Sequence, residues 1–141
     1  MRMLGVAGVL LAFLLAPLTS ANASVLAKVD VSSQTMNVYV DGSLAYSWPV
    51  STARRGYYTP RGSFRPQSLE AMHYSRKYDN SPMPHSVFFS GGFAIHGSYA
   101  VRSLGRPASH GCVRLAPGNA STLYSLIREH GTGSTRIVIS D

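Results

Sequence analysis

The chain's only cysteine, Cys112, stands in the stretch Ser109-His110-Gly111-Cys112-Val113-Arg114-Leu115. A lone cysteine in an exported protein is most often a small buried hydrophobe. Its neighbours here argue for chemistry instead. In an extended segment side chains two apart share a face, so Cys112 and Arg114 emerge together while Val113 and Leu115 enter a core. A cation beside a thiol favours the thiolate, so the expected thiol pKa lies below its ordinary value of about 8.5. Packing alone would not ask for that arginine.

A thiol nucleophile needs a base, and the base can come from elsewhere in the chain. His96 follows the apolar run Phe93-Ala94-Ile95, precedes Gly97, and lies 16 residues before Cys112. That spacing fits two adjacent strand ends joined by a loop. His96 shares a face with Ala94, so its ring can meet a cleft. His110 can also share the face of Cys112, and spacing alone leaves either histidine able to serve as base. Gly111 lets a substrate approach the backbone closely, and the N–H groups around Gly111 and Cys112 could form an oxyanion hole.

These groups must be positioned by a mostly β domain. Alternation through Leu26-Lys28-Asp30 and Met36-Val38-Val40, with Asp41-Gly42 as a hairpin turn, predicts a three-strand meander between Leu26 and Thr52. Arg54 to Pro66, crowded with Gly, Pro, Arg and Tyr, predicts loop with a short extended piece at Ser63 to Arg65. Gln67 to Pro84 shows no period and is expected to be a long functional loop. Ser86 to Gly97 and Gly111 to Leu115 read as two further buried strands. One helix is expected to open at Pro117, bury Ala120, Leu123, Tyr124 and Ile127, and stop at Gly131. Ser134 to Asp141 closes the chain as a strand. The expected architecture is a β-sandwich or partly open barrel with one late helix.

The first residues read as an export signal: Arg2, an apolar run from Leu4 to Leu15, the break at Pro17, and small residues at Ala21 and Ala23. Cleavage is expected after Ala23, leaving residues 24–141 as one domain with no stable membrane insertion. The expected compartment is the periplasm or cell envelope. The net charge is +7 with the basic residues scattered, which suits an anionic envelope. Nucleic acid is excluded as a partner, since no recognition helix or aromatic-basic motif is present. One cysteine cannot form an internal disulfide.

Ala94-Ile95-His96-Gly97-Ser98 followed by Pro107-Ala108-Ser109-His110-Gly111-Cys112-Val113-Arg114-Leu115 resembles the catalytic signature of the L,D-transpeptidases, the YkuD-type domain. Ser51-Thr52 with Thr59-Pro60-Arg61-Gly62-Ser63-Phe64 is similar to the family's upstream stretch, and Ser81-Pro82-Met83-Pro84 to its Met-Pro segment. The resemblance spans nearly all of residues 24–141 and implies an exported enzyme that remodels the bacterial cell wall by acting on peptidoglycan stem peptides without a cofactor. It implies Cys112 as nucleophile, passing through a thioester, and His96 as base, oriented by the Gly97 carbonyl. It implies His110, Gly111 and Cys112 around the oxyanion, Arg114 as electrostatic support, Ser109 as a supporting hydrogen-bonding residue, and Tyr74 and Met83 on the stem-peptide groove. The family commonly carries an aspartate where this chain has Asn119. The acceptor of the acyl group, whether a second stem, a protein amine, a D-amino acid or water, is left open, so L,D-carboxypeptidase and protein-anchoring activities stand beside transpeptidation.

Rival readings come from other classes. A zinc site could draw on His96, His110 and Cys112, yet a structural site wants four ligands and only the isolated His85 offers itself. A papain-like protease lacks its local signature around the cysteine. A catalytically silent wall-binding module would not need an intact Cys-His-Arg set. His73 and His130 are expected at the surface or in loops.

Overall fold

In a computed structural model of the protein the described residues are 23–141, with the isolated positions 5, 8, 9 and 12 before them. The expected export segment, residues 1–23, therefore lies almost wholly outside the described residues. No helix among them is long and apolar enough to cross a membrane.

Two sheets and one helix make up the fold. The first sheet contains β1 (Val25–Asp30), β2 (Thr35–Val40), β3 (Ser43–Pro49), β4 (Gly62–Phe64) and β9 (Thr135–Ser140), in the order β3-β2-β1-β9-β4. The meander over β1 to β3 forms as the alternation predicts, turning at Asp41-Gly42, where both residues have positive φ. The closing strand β9 inserts parallel to β1, and Val25, Ala27, Val29, Ile137 and Ile139 are buried from the two strands. Each of the valine and isoleucine side chains removed from water stabilises the fold by about 1.5–3 kcal/mol.

The second sheet contains β5 (Ser68–Ser75), β6 (Ser81–Ser90), β7 (Phe93–Gly97) and β8 (Val113–Leu115), in that order. Two expectations change here. The stretch Gln67 to Pro84 is not a loop: it forms β5, a 3₁₀ turn over Arg76–Tyr78 and the start of β6, paired in register from Ser68–Phe88 to Ser75–Ser81. Most of β5 is exposed or half-buried at a sheet edge, so no apolar period marks it in sequence. Ser86 to Gly97 is not one strand either, because Gly91 and Gly92 turn the chain between β6 and β7.

The helix α1 (Pro117–His130) has the expected bounds and buries Ala120, Leu123, Tyr124 and Ile127 against β6 and β7. Val87, Phe89, Ile95, Val113 and Leu115 join them in one core with the first sheet. The two sheets do not close into a barrel. An antiparallel bridge between Ser51, beyond β3, and Arg114 of β8 ties them together beside the cysteine.

Candidate active site

Strand pairing sets the geometry of the reacting groups. β7 and β8 run parallel with Ile95 opposite Val113, His96 opposite Arg114 and Gly97 opposite Leu115. Cys112 immediately precedes β8, so it stands diagonally across from His96, and both line one cavity of about 720 Å³. Val113 and Leu115 are fully buried, as their alternation with Cys112 and Arg114 requires.

His96 is buried, and its Nδ1 lies 2.7 Å from its neighbour's carbonyl oxygen, that of Gly97. A carbonyl only accepts, so Nδ1 carries the proton and the Nε2 lone pair is left free to take one. Burial pushes the His96 pKa down to about 4 against the opposing Gly97 hydrogen bond, with Arg114 and then His73 adding to the fall. The ring is thus neutral at pH 7. Gly97 also lets α1 come close: a Cβ there would meet Pro84 Cγ at 3.0 Å and Pro117 Cα at 3.2 Å.

The thiol departs from its expectation. Burial raises the Cys112 pKa above its ordinary value, and the Ala94 backbone and Arg114 only partly oppose it. Its Sγ lies 3.9 Å from the Gly92 carbonyl oxygen. Arg114 is itself half-buried and donates to the Ala108 carbonyl at 3.4 Å. A cation beside the sulfur therefore does not outweigh desolvation in the resting site.

The motif loop is held by a hydrogen-bonded lattice. Ser109 donates from Oγ to the Cys112 carbonyl at 2.6 Å and accepts from the Gly111 N–H at 3.0 Å. Thr59 donates to the Gly111 carbonyl at 2.8 Å and accepts from the Ala53 N–H at 2.9 Å. The Thr52 carbonyl accepts from Ala108 and Ser109, while Thr52 is gripped by the buried Gln34 side chain at 2.7 and 2.9 Å. Gly111 sits at φ +140°, and a Cβ would fall 2.5 Å from Phe93 Cε1 and 2.8 Å from the Tyr58 carbonyl oxygen, so no other residue fits. The Gly111 N–H is spent on Ser109, which corrects its expected place in an oxyanion hole. Among the described residues the N–H groups of His110 and Cys112 have no intramolecular acceptor.

His110 lies on the rim with its ring stacked on Tyr78 at 4.1 Å and tilted against Tyr57 at 4.7 Å. That packing, then Arg54, Arg114 and Lys77, lowers its pKa. Met83 lines the cavity, but Tyr74 does not. His73 and Ser75 point inward from β5, so strand alternation turns Tyr74 out to solvent, where it is 55% exposed. His73, expected at the surface or in a loop, stands on β5 partly exposed, where it also lines the cavity with Nδ1 2.6 Å from Glu70 Oε2. Gln34, Phe93 and the turn residues Arg76, Lys77 and Tyr78 were not singled out in sequence, because nothing local relates them to Cys112. His85 packs against Tyr124 outside the cavity lining, and among the described residues no three His, Cys, Asp or Glu side chains gather as a metal site.

The family model for the L,D-transpeptidase (YkuD) catalytic domain matches residues 24–139. This chain belongs to the L,D-transpeptidase family. No curated protein sequence matches it. Among solved structures it is similar to an L,D-transpeptidase from Mycobacterium smegmatis at 26% identity and a TM-score of 0.74, over 84% of this chain and 59% of that one. It is similar to one from Stackebrandtia nassauensis at 27% identity and a TM-score of 0.71, over 84% and 56%. Residues 123–326 of one from Xylanimonas cellulosilytica give 26% identity and a TM-score of 0.70, over 86% and 62%. The chain thus spans less than two thirds of each of these L,D-transpeptidase chains.

Proposed function

We propose that this L,D-transpeptidase domain is an exported cysteine acyltransferase acting on peptidoglycan stem peptides in cell wall remodelling. The observation that carries the reading is a thiol and a neutral imidazole with a free Nε2 on neighbouring parallel strands, lining one cavity. Cys112 Sγ attacks the carbonyl of the third stem residue while its proton passes to His96 Nε2. The N–H groups of His110 and Cys112 hold the oxyanion, and Arg114 adds positive potential. Collapse breaks the peptide bond, and the departing D-alanine amine takes the proton from His96. The resulting thioester is then attacked by an acceptor amine, whose proton goes to His96 and on to the released sulfur. The low His96 pKa keeps the base unprotonated at neutral pH and makes it a weak proton acceptor in the resting site. Met83 and the aromatic wall of the cavity would hold the stem peptide, with export delivering the domain to the cell envelope.

The test is to incubate the protein with a disaccharide tetrapeptide and weigh the products. Loss of D-alanine with formation of a dimer indicates transpeptidation, and loss of D-alanine alone indicates carboxypeptidase action. Cys112→Ser is expected to stay folded and lose turnover by at least about a thousandfold. Serine-variant turnover near that of the original protein would refute the nucleophile assignment.

A further inference from the structure

The cavity wall is unbalanced in charge. Arg76, Lys77 and Arg114 line it, and no Asp or Glu does. Among the described residues the only ion pairs are Arg61–Asp141 and His73–Glu70, so these three cations have no carboxylate partner. Asp79 follows Tyr78 in sequence yet neither pairs with them nor lines the cavity.

Two of the cations, both exposed, stand on a braced turn. Arg76 and Lys77 occupy the 3₁₀ turn at the tip of the β5–β6 hairpin. That turn is braced by the Tyr78 ring stacked 4.1 Å from His110 and by a 2.7 Å hydrogen bond from Ser81 Oγ to the Tyr78 carbonyl. Lys77 Nζ lies 5.5 Å from the centre of the Tyr78 ring. A cationic turn over a cavity whose lining holds aromatic, apolar and neutral polar side chains and one further cation, Arg114, but no carboxylate, is suited to receive an anion.

We propose that Arg76 and Lys77 are specificity residues, selecting a donor peptide with a free carboxylate beside the scissile bond over its carboxamide counterpart. This rests on the reading of the cavity as the stem-peptide site. Two carboxylates adjoin that bond, one on the diamino acid and one on the terminal D-alanine, and both share the chemistry the turn would recognise. Charge-assisted contacts from partly exposed cations give a preference of about fivefold, screened by salt.

Binding separates this from catalysis. Calorimetry on the Cys112→Ser protein would compare the free tetrapeptide with two amidated forms, one at the diamino acid and one at the terminal D-alanine. The expected result is about fivefold tighter binding of the free peptide than of at least one amide, with that amide identifying the carboxylate. Arg76→Gln with Lys77→Gln should close the gap, and the charge-keeping pair Arg76→Lys with Lys77→Arg should retain it. Equal affinities for all three peptides, no measurable binding, or a gap that survives the double glutamine variant would overturn the proposal. Turnover of the free peptide with Cys112 intact reads the functional proposal separately, so an active enzyme without preference defeats only the specificity claim.

Discussion

Cys112 and His96 line the cavity as a thiol and an imidazole, not as a thiolate and an imidazolium. Both groups are desolvated, and desolvation disfavours the charged form of each, raising one pKa and holding the other at about 4. In the proposed reaction the thiolate forms as the carbonyl is attacked, with His96 taking the proton in the same step. The rate of iodoacetamide alkylation is therefore expected to rise with pH through a midpoint above the ordinary thiol value of about 8.5. His96→Ala should leave that midpoint above 8.5 while removing turnover. A midpoint below 7 in the unaltered protein would show an ion pair and contradict this assignment. His110, nearer to Cys112 in sequence, has its ring in the Tyr57–Tyr78 stack, so in the proposed reaction its contribution to the oxyanion comes from the main chain.

The helix α1 starts beside the site with little to hold its first turn. Ala116 at the N-cap offers no side chain to the free N–H groups, and the first turn contains no acid. Asn119 occupies that turn. Asn119→Asp is expected to stabilise the protein by about 0.5 kcal/mol through the helix dipole, raising Tm by about 2–4 °C, and 1 M salt should erase most of the gain. Scanning calorimetry at low and high salt reads it, and a lower Tm at low salt would refute it. The helix itself was legible in sequence because its cues are local: Pro117 at the start, apolar residues at 3–4 spacing, Gly131 after the end. The β5–β6 hairpin was not. An edge strand with no buried residue carries no apolar alternation, and Pro82 and Pro84 argue locally against β6, which at those two positions pairs with β5 alone.

Across the whole molecule, burying His96 in the wall of the cavity links folding to pH. Its folded pKa of about 4 lies below the 6.5 of an unfolded histidine, so the unfolded chain binds more protons between those values. Stability from this group is complete above pH 6.5 and falls as the pH drops, by about 3 kcal/mol at pH 4. Denaturant unfolding at pH 7.5 and pH 4 should show a loss larger by about that amount than in His96→Gln. Equal losses in the two proteins would exclude the linkage. The sequence alone determined the reacting residue types, the Asp41-Gly42 turn, the bounds of α1 and the two-sheet class, since each rests on short-range pattern or on an ordered motif. Tertiary structure decided which residues share the cavity. It turned His73 inward and Tyr74 outward, spent the Gly111 N–H on Ser109, and brought Arg76, Lys77 and Tyr78 to a cysteine more than thirty residues away. It also reversed the direction of the thiol's pKa, because a neighbouring charge can be read from spacing while desolvation depends on every element packed around the sulfur.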